Sequence, residues 1–167
     1  KPGFDPKMFV HSINHENYDA LENGAYKPLF NRAFFGQYPP GSTLKPFIGL
    51  AGIEQRRFGV KESIYCKGHY LLPGDDTERK YRDWKKEGHG MVDLSVAIEQ
   101  SCDVYFYELA YRMGINNMHE FLEQFGFGKK TGIDLIGEGS GLFPSTDWKK
   151  QTKGTGWYPG ENLKSGI

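Results

Sequence analysis

Apolar residues recur at helical spacing in four stretches of this chain and alternate as strand residues do almost nowhere. From Thr43 to Glu54 they fall at Leu44, Phe47, Ile48, Ala51 and Ile53, the spacing of a helix with one buried face. Pro39, Pro40 and Gly41 just ahead resist helix, so the pattern predicts a helix from Ser42 to about Arg56 or Arg57. Further on, Asp93 caps a helix with Leu94, Ala97 and Ile98 inward. A second, from about Asp103, turns Phe106, Leu109, Ala110 and Met113 to one side and stops at Gly114. Asn117 caps a third with Met118, Phe121, Leu122 and Phe125 inward, closed by Gly126. The more polar NHENYDALENG predicts a short helix between Asn14 as cap and Gly24 as stop.

Between these helices lies GVKESIYCKGHYLLPGDDTERKYRDWKKEGHG, charged, broken by glycine and without a sustained period. A connection of that length is functional or is held by something other than a core. After Gly126 the chain reads as mostly loop, with IDLI, residues 133–136, as one short strand. The 22 glycines and 9 prolines agree with a loop-rich chain, and 167 residues suffice for a core of its own. Basic and acidic residues balance at 21 each, which gives no electrostatic attraction to nucleic acid or to a membrane surface. No run of about 18 apolar residues occurs, so no segment reads as a membrane span. The opening KPGFDP carries no signal peptide and reads as the middle of a loop, as expected of a piece of something longer.

The candidate chemistry begins where the first long helix does. Ser42 and Lys45 stand one turn apart on the same face, behind the rigid Pro-Pro-Gly. A serine there is an ordinary helix cap, but a lysine faces the unfavourable positive end of the helix dipole. A lysine desolvated at that place can accept the serine proton and activate the oxygen toward a carbonyl. The second group is Ser101-Cys102-Asp103, at the break between two helices, where helix capping is the plainer use of Ser101 and Asp103. Lys130-Thr131-Gly132 completes the three motifs known together in serine acyl-transfer enzymes that react with β-lactams.

The strings NRAFFGQYPPGSTLKP, YRDWKKEGHG, SCDVYFYELAYRMGI, FGFGKKTGIDL and NLKSGI together resemble, over essentially the whole chain, the transpeptidase domain of the penicillin-binding protein 2 family, class B enzymes of bacterial cell elongation. The resemblance implies that Ser42 is the nucleophile toward a peptidoglycan stem peptide ending in D-Ala-D-Ala, or toward a β-lactam. It implies that Lys45 is its general base and that Ser101 passes a proton between Lys45 and the leaving amine. Asp103 stands where many relatives carry asparagine, which keeps an acceptor and loses an amide donor. The family's working Lys-Thr-Gly lies on a sheet edge farther along, so Lys130-Thr131-Gly132 is expected to be a loop that only looks like it. The implied fold is mainly α with long loops, the helical part of the α/β transpeptidase fold that serine β-lactamases share. Its central sheet is drawn mostly from before Lys1 and after Ile167, and apolar surface is expected where that sheet belongs.

Cys66, Asp83, His89 and Cys102 are all potential ligands, three of them around the aperiodic segment, and two thiolates, an imidazole and a carboxylate form a tetrahedral set suited to Zn²⁺. Their spacing is not that of a zinc finger; the resemblance strengthens the reading, because relatives are expected to hold a metal around this loop. Cys66 then replaces an acidic ligand, and His69 is a substitute from the same loop. A Cys66–Cys102 disulfide and two unlinked buried thiols stand as alternatives. The family further implies the periplasmic side of the inner membrane, and a membrane glycosyltransferase and elongation-complex proteins as partners. A non-catalytic penicillin-recognising module, either a sensor or an interaction domain, is the competing reading of the whole, and YRDWKKEGHG, which the sensor class usually lacks, favours the enzyme.

Overall fold

The computed structural model describes residues 3–167, which divide into two compact units: residues 3–38 with Lys130–Ser140, and Pro39–Lys129 with Gly141–Ile167. In the first, Asp5 accepts the N–H of Lys7 and opens a 3₁₀ turn, Pro6–Phe9. Asn14 accepts the N–H of Asn17 at 2.8 Å and opens α1, His15–Asn23, as its sequence predicts. The short α2, Arg32–Phe35, begins with an arginine whose guanidinium binds the carbonyls of Tyr26, Lys27 and Phe30 and so closes the preceding loop. IDLI is not a strand: Ile133, Leu135 and Ile136 are exposed, and among the described residues no strand pairs with it.

The second unit holds the core and every candidate catalytic or metal-binding residue. A 3₁₀ turn, Gly41–Leu44, leads into α3, Lys45–Glu54. The expected helix is therefore present, but Ser42 lies within the tighter turn and does not cap it; α-helical bonding begins at Lys45, with Pro46 harmless in the opening turn. Leu44, Ile48 and Ala51 are buried, while Phe47 and Ile53 pack on the core's rim.

α4, Leu94–Glu99, is capped by the Asp93 carboxylate on the N–H of Val96, and α5, Asp103–Met113, runs through the middle of the unit with Phe106, Leu109, Ala110 and Met113 all buried. Ile98 is not inward but 42% exposed, since it lies about 100° round the short α4 from buried Ala97. α6, Ile115–Glu123, starts directly after Gly114. Asn117 is thus inside its first turn, donating to the Met113 carbonyl, and is not its cap. Phe125 lies past the end of α6, half exposed, stacked edge-on against Phe47.

Two helices escaped the apolar pattern because their sequences are polar: α7, Thr146–Lys153, and α8, Pro159–Ser165. Their caps are nonetheless legible. Ser145 accepts the N–H of Trp148, Gly154 ends α7 in the left-handed conformation, and Glu161 reaches back to the N–H of Tyr158. The close of α8 lies on α5, where a Cβ on Gly166 would come within 2.6 Å of the Ala110 methyl.

The aperiodic segment folds as two antiparallel ladders. β1, Ile64–Cys66, pairs with β4, Gly90–Val92, and β2, His69–Leu71, pairs with β3, Lys80–Arg82. Where the ladders meet, Gly68 and Gly88 have φ of +88° and +81°, and each backbone runs so close to its neighbour that a Cβ would strike a carbonyl, that of Lys86 or Cys66. The approach lets His89 donate its N–H to the Cys66 carbonyl at 3.1 Å and Asp83 donate to that of Gly68 at 2.9 Å.

Gly88→Ala therefore meets both an unfavourable φ and a backbone collision, with an expected loss of about 2–4 kcal/mol of stability. Gly74→Ala, at φ +77° but with nothing within 4 Å of the new Cβ, is expected to cost only about 1 kcal/mol. Urea unfolding of the two purified variants measures the difference; equal losses would show that the crowding at Gly88 is relieved by movement.

Candidate active site and metal centre

Lys45 opens α3 and is 1% exposed, a cation buried at the wrong end of a helix dipole. Three acceptors answer it. Its Nζ donates to the Ser101 carbonyl at 2.9 Å, to Ser101 Oγ at 3.0 Å and to Asp103 Oδ1 at 2.5 Å, which matches the three N–H bonds of an ammonium. The Phe106 ring lies below it, 5.4 Å from Nζ to centroid. Asp103 is the first residue of α5, where a carboxylate is favoured by the dipole, and its second oxygen accepts the backbone N–H of Trp84 at 3.1 Å.

Ser101 holds its two acceptors toward the same ammonium by taking φ +52°, a left-handed conformation that costs a non-glycine residue about 1–2 kcal/mol. Ser42 lies one turn before Lys45, exposed, with its carbonyl accepting the Lys45 N–H. The turn is fixed from behind by Thr43, whose hydroxyl donates to the Pro40 carbonyl at 2.7 Å. Ser42 is thus an exposed serine one turn ahead of a buried, hydrogen-bonded amine, the sequence of groups that a serine nucleophile and its proton acceptor use.

On the other side of the α4–α5 junction, Cys66, Asp83, His89 and Cys102 converge so that their donor atoms all lie within 4.8 Å of one another. Asp83 Oδ2 is 3.6 Å from Cys66 Sγ, 3.4 Å from Cys102 Sγ and 3.7 Å from His89 Nδ1, and Cys66 Sγ is 3.5 Å from His89 Nδ1. Ligands on a tetrahedral zinc at ordinary bond lengths stand about 3.4–3.8 Å apart, so the spacing and the donor chemistry both fit the ion. Neither cysteine is in a disulfide. His69 is not part of the set: it sits on β2 opposite Arg82, its ring held below its ordinary pKa by burial and then by Lys67, Lys80 and Arg82.

Asp83 ties the two clusters together. Besides facing both thiols it accepts the N–H of Val104 at 3.1 Å and that of Lys85 at 3.0 Å. Burial alone would raise its pKa, but those N–H groups, the Cys102 thiol and the nearby His89 hold it below the usual value. Burial pushes the Cys102 thiol up. Cys102 sits between Ser101 and Asp103, so one tripeptide faces the lysine with its outer residues and the metal set with its middle one.

Sequence reasoning missed Trp84. Its backbone holds Asp103, its indole N–H donates to the Gln100 carbonyl at 3.1 Å, and its ring packs against His89. The only available signal was its place next to Asp83. Lys130-Thr131-Gly132 lies in a loop of the first unit, where the Thr131 N–H and hydroxyl and the Gly132 N–H all bind the Glu138 carboxylate. It is not part of a strand.

The penicillin binding protein transpeptidase domain family matches residues 2–158. Among curated proteins, the chain is 46% identical over 166 residues to peptidoglycan D,D-transpeptidase MrdA of Acinetobacter baumannii and 40% identical to that of Escherichia coli K12. Both matches cover 99% of this chain, which spans about a quarter of the length of these relatives, 24% and 26%. Among solved structures, Pseudomonas aeruginosa PBP2, in complex with WCK 5153, is 44% identical with a TM-score of 0.92 over all of this chain and 38% of that one. Helicobacter pylori PBP2, in a complex with MreC, is 35% identical with a TM-score of 0.87, over 96% of this chain and 29% of that one. The mainly helical, loop-rich backbone is thus a portion of a known fold, and the chain belongs to the penicillin-binding protein transpeptidase family.

Proposed function

We propose that the protein containing this chain is a serine D,D-transpeptidase that cross-links peptidoglycan stem peptides and is acylated by β-lactams. The observation that carries the reading is the Lys45 ammonium, buried one turn after an exposed Ser42 and held by Ser101 and Asp103. In this reading the reacting form carries Lys45 as a neutral amine, one of its protons having gone to solvent; Ser42 Oγ attacks the carbonyl between the two terminal D-alanines, and its proton passes to the lone pair so freed. Asp103 stabilises the ammonium that results. Ser101 Oγ, within hydrogen-bond reach of Lys45, relays that proton to the amine of the departing D-alanine. The amine of a second stem peptide then attacks the acyl-serine and restores Ser42. A β-lactam follows the same first step and keeps its leaving amine tethered. Similarity to MrdA proteins and to a PBP2 solved with MreC supports the periplasmic face of the inner membrane and partners from the elongation machinery, and similarity to a peptidoglycan synthase complex that coordinates polymerization and crosslinking supports a membrane glycosyltransferase among them.

Cys66, Asp83, His89 and Cys102 hold one Zn²⁺ in this reading, in a closed four-ligand site. When bound, the ion would supply no group to the reaction and would add a link between the ladders and the α4–α5 junction to the apolar contacts that Cys66, Tyr70, Val92 and Val104 make with the core. The chain's own part is done by Asp83, which fixes the start of α5 through the Val104 N–H.

In the full-length protein, penicillin is expected to add its mass to one residue, and Ser42→Ala to abolish the adduct. Lys45→Ala is expected to slow acylation by about 100-fold or more. Lys130→Ala, in a loop turned onto Glu138, should stay within a few fold of the parent. Mass spectrometry against time reads all three, and an adduct persisting in Ser42→Ala ends the proposal. Turnover of a D-Ala-D-Ala peptide separates an enzyme from a sensor that is acylated only.

Elemental analysis of protein purified without added metal is expected to find about one zinc per chain. Chelation, or Cys102→Ser, should lower the melting temperature and slow acylation together. Absent zinc, with no thermal shift on chelation, would reject the metal reading and leave the transpeptidase reading intact.

A further inference from the structure

Two thiols meet at the edge of the catalytic cluster, and nothing in the transpeptidase reaction uses either of them. Cys66 ends β1 and Cys102 immediately precedes α5, so the sulfurs come from separate elements, each at an element boundary. Both face one oxygen of Asp83, at 3.6 and 3.4 Å, and lie within 4.8 Å of each other. A disulfide requires about 2.05 Å between sulfurs, which leaves a movement of a few ångströms at most.

We propose that Cys66 and Cys102 are an oxidative modification site: with the metal absent, a disulfide oxidant joins them in an intramolecular disulfide that closes the metal site and draws Ser101 and Asp103 away from Lys45. The chemistry is thiol–disulfide exchange. One cysteine thiolate attacks the oxidant's S–S bond and releases a first thiol, leaving a mixed disulfide on the protein. The second cysteine thiolate attacks the protein sulfur of that bond, forms the Cys66–Cys102 bond and releases a second thiol. Two electrons pass from the protein to the oxidant, and the two protons lost by the cysteines end on the released thiols.

The consequence for the active site follows from chain connectivity. Cys102 cannot move toward Cys66 without its neighbours, and those neighbours supply all three acceptors of the Lys45 ammonium, at 2.5–3.0 Å. A bound ion prevents the exchange, since a coordinated thiolate is not free to attack. Access is controlled as well: both sulfurs are buried, under a loop whose Trp84 ring packs on His89, and that loop must open to admit an oxidant. The proposal rests on the metal reading only for this competition between ion and oxidant.

The test uses full-length protein, with and without prior treatment by a zinc chelator, exposed to oxidised glutathione and then freed of it. The chelated sample is expected to lose both titratable thiols and two hydrogen atoms by mass, and to yield a joined Cys66–Cys102 peptide on non-reducing digestion. It should refuse added zinc until reduced, and acylate with a fluorescent penicillin roughly tenfold or more slowly, with recovery on reduction. The unchelated sample should keep both thiols. Cys66→Asp retains an oxygen ligand but no second sulfur, so it should form no joined peptide and can at most hold glutathione on Cys102, visible as added mass. Glutathione left on a single cysteine of the parent, or two parent thiols that still titrate, would each overturn the proposal. If the protein as purified holds no metal and the joined peptide forms without chelation, the modification site stands while the zinc reading falls.

Discussion

The ammonium of Lys45 organises the second unit of this protein. A charge buried to 1% exposure at the positive end of a helix is tolerated only when other groups answer it, and breaking such a pair costs about 3–5 kcal/mol. The answer comes from Ser101 and Asp103, more than fifty residues away in the chain. The requirement fixes α3 against the α4–α5 junction and sets the strained φ of Ser101. It also gives α5 an acidic first residue that serves the helix dipole and the lysine at once.

The same junction is reached from the opposite side by the two ladders. Three-residue strands in pairs are marginal in water by themselves, and each ladder sends only a few side chains, Cys66, Tyr70 and Val92 among them, into the core. Gly68 and Gly88 let them approach, and Asp83 connects them to α5 through backbone N–H groups. Trp84 carries the connection one residue farther, to the oxygen of Asp103 that Lys45 leaves free. Order in the loop and the position of the Lys45 amine are therefore parts of one hydrogen-bonded network.

Where apolar residues set the helix, the chain could be read directly: α3 and α5 lie where the period places them, α4 does so except at exposed Ile98, and caps such as Asn14 and Asp93 bond as their residue types suggest. The errors fall where other forces govern. Ser42 sits in a 3₁₀ turn, a difference of one hydrogen-bond register that periodicity does not resolve. α7 and α8 are set by caps and by the Lys149–Glu161 pair, not by an apolar stripe. The ladders depend on backbone approach at glycines, and strands of three residues carry too few side chains to alternate visibly. Within the candidate site, the convergence of Cys66, Asp83, His89 and Cys102 was legible as a list of ligand types, and their spacing in three dimensions came from the structure. Trp84 was not legible, because its backbone N–H is what holds Asp103, and any residue but proline has one.

The left-handed backbone of Ser101 also narrows what this position can become. Threonine carries the same hydroxyl, yet a β-branched side chain is a true outlier at positive φ. Glycine takes that conformation freely and brings no hydroxyl. Asparagine accepts it more readily than most residues but is longer, and it would meet an ammonium already enclosed on its other sides by Asp103 and Phe106. Backbone shape and side-chain chemistry thus exclude different neighbours in sequence space, and between them they leave serine with almost no path of gradual replacement.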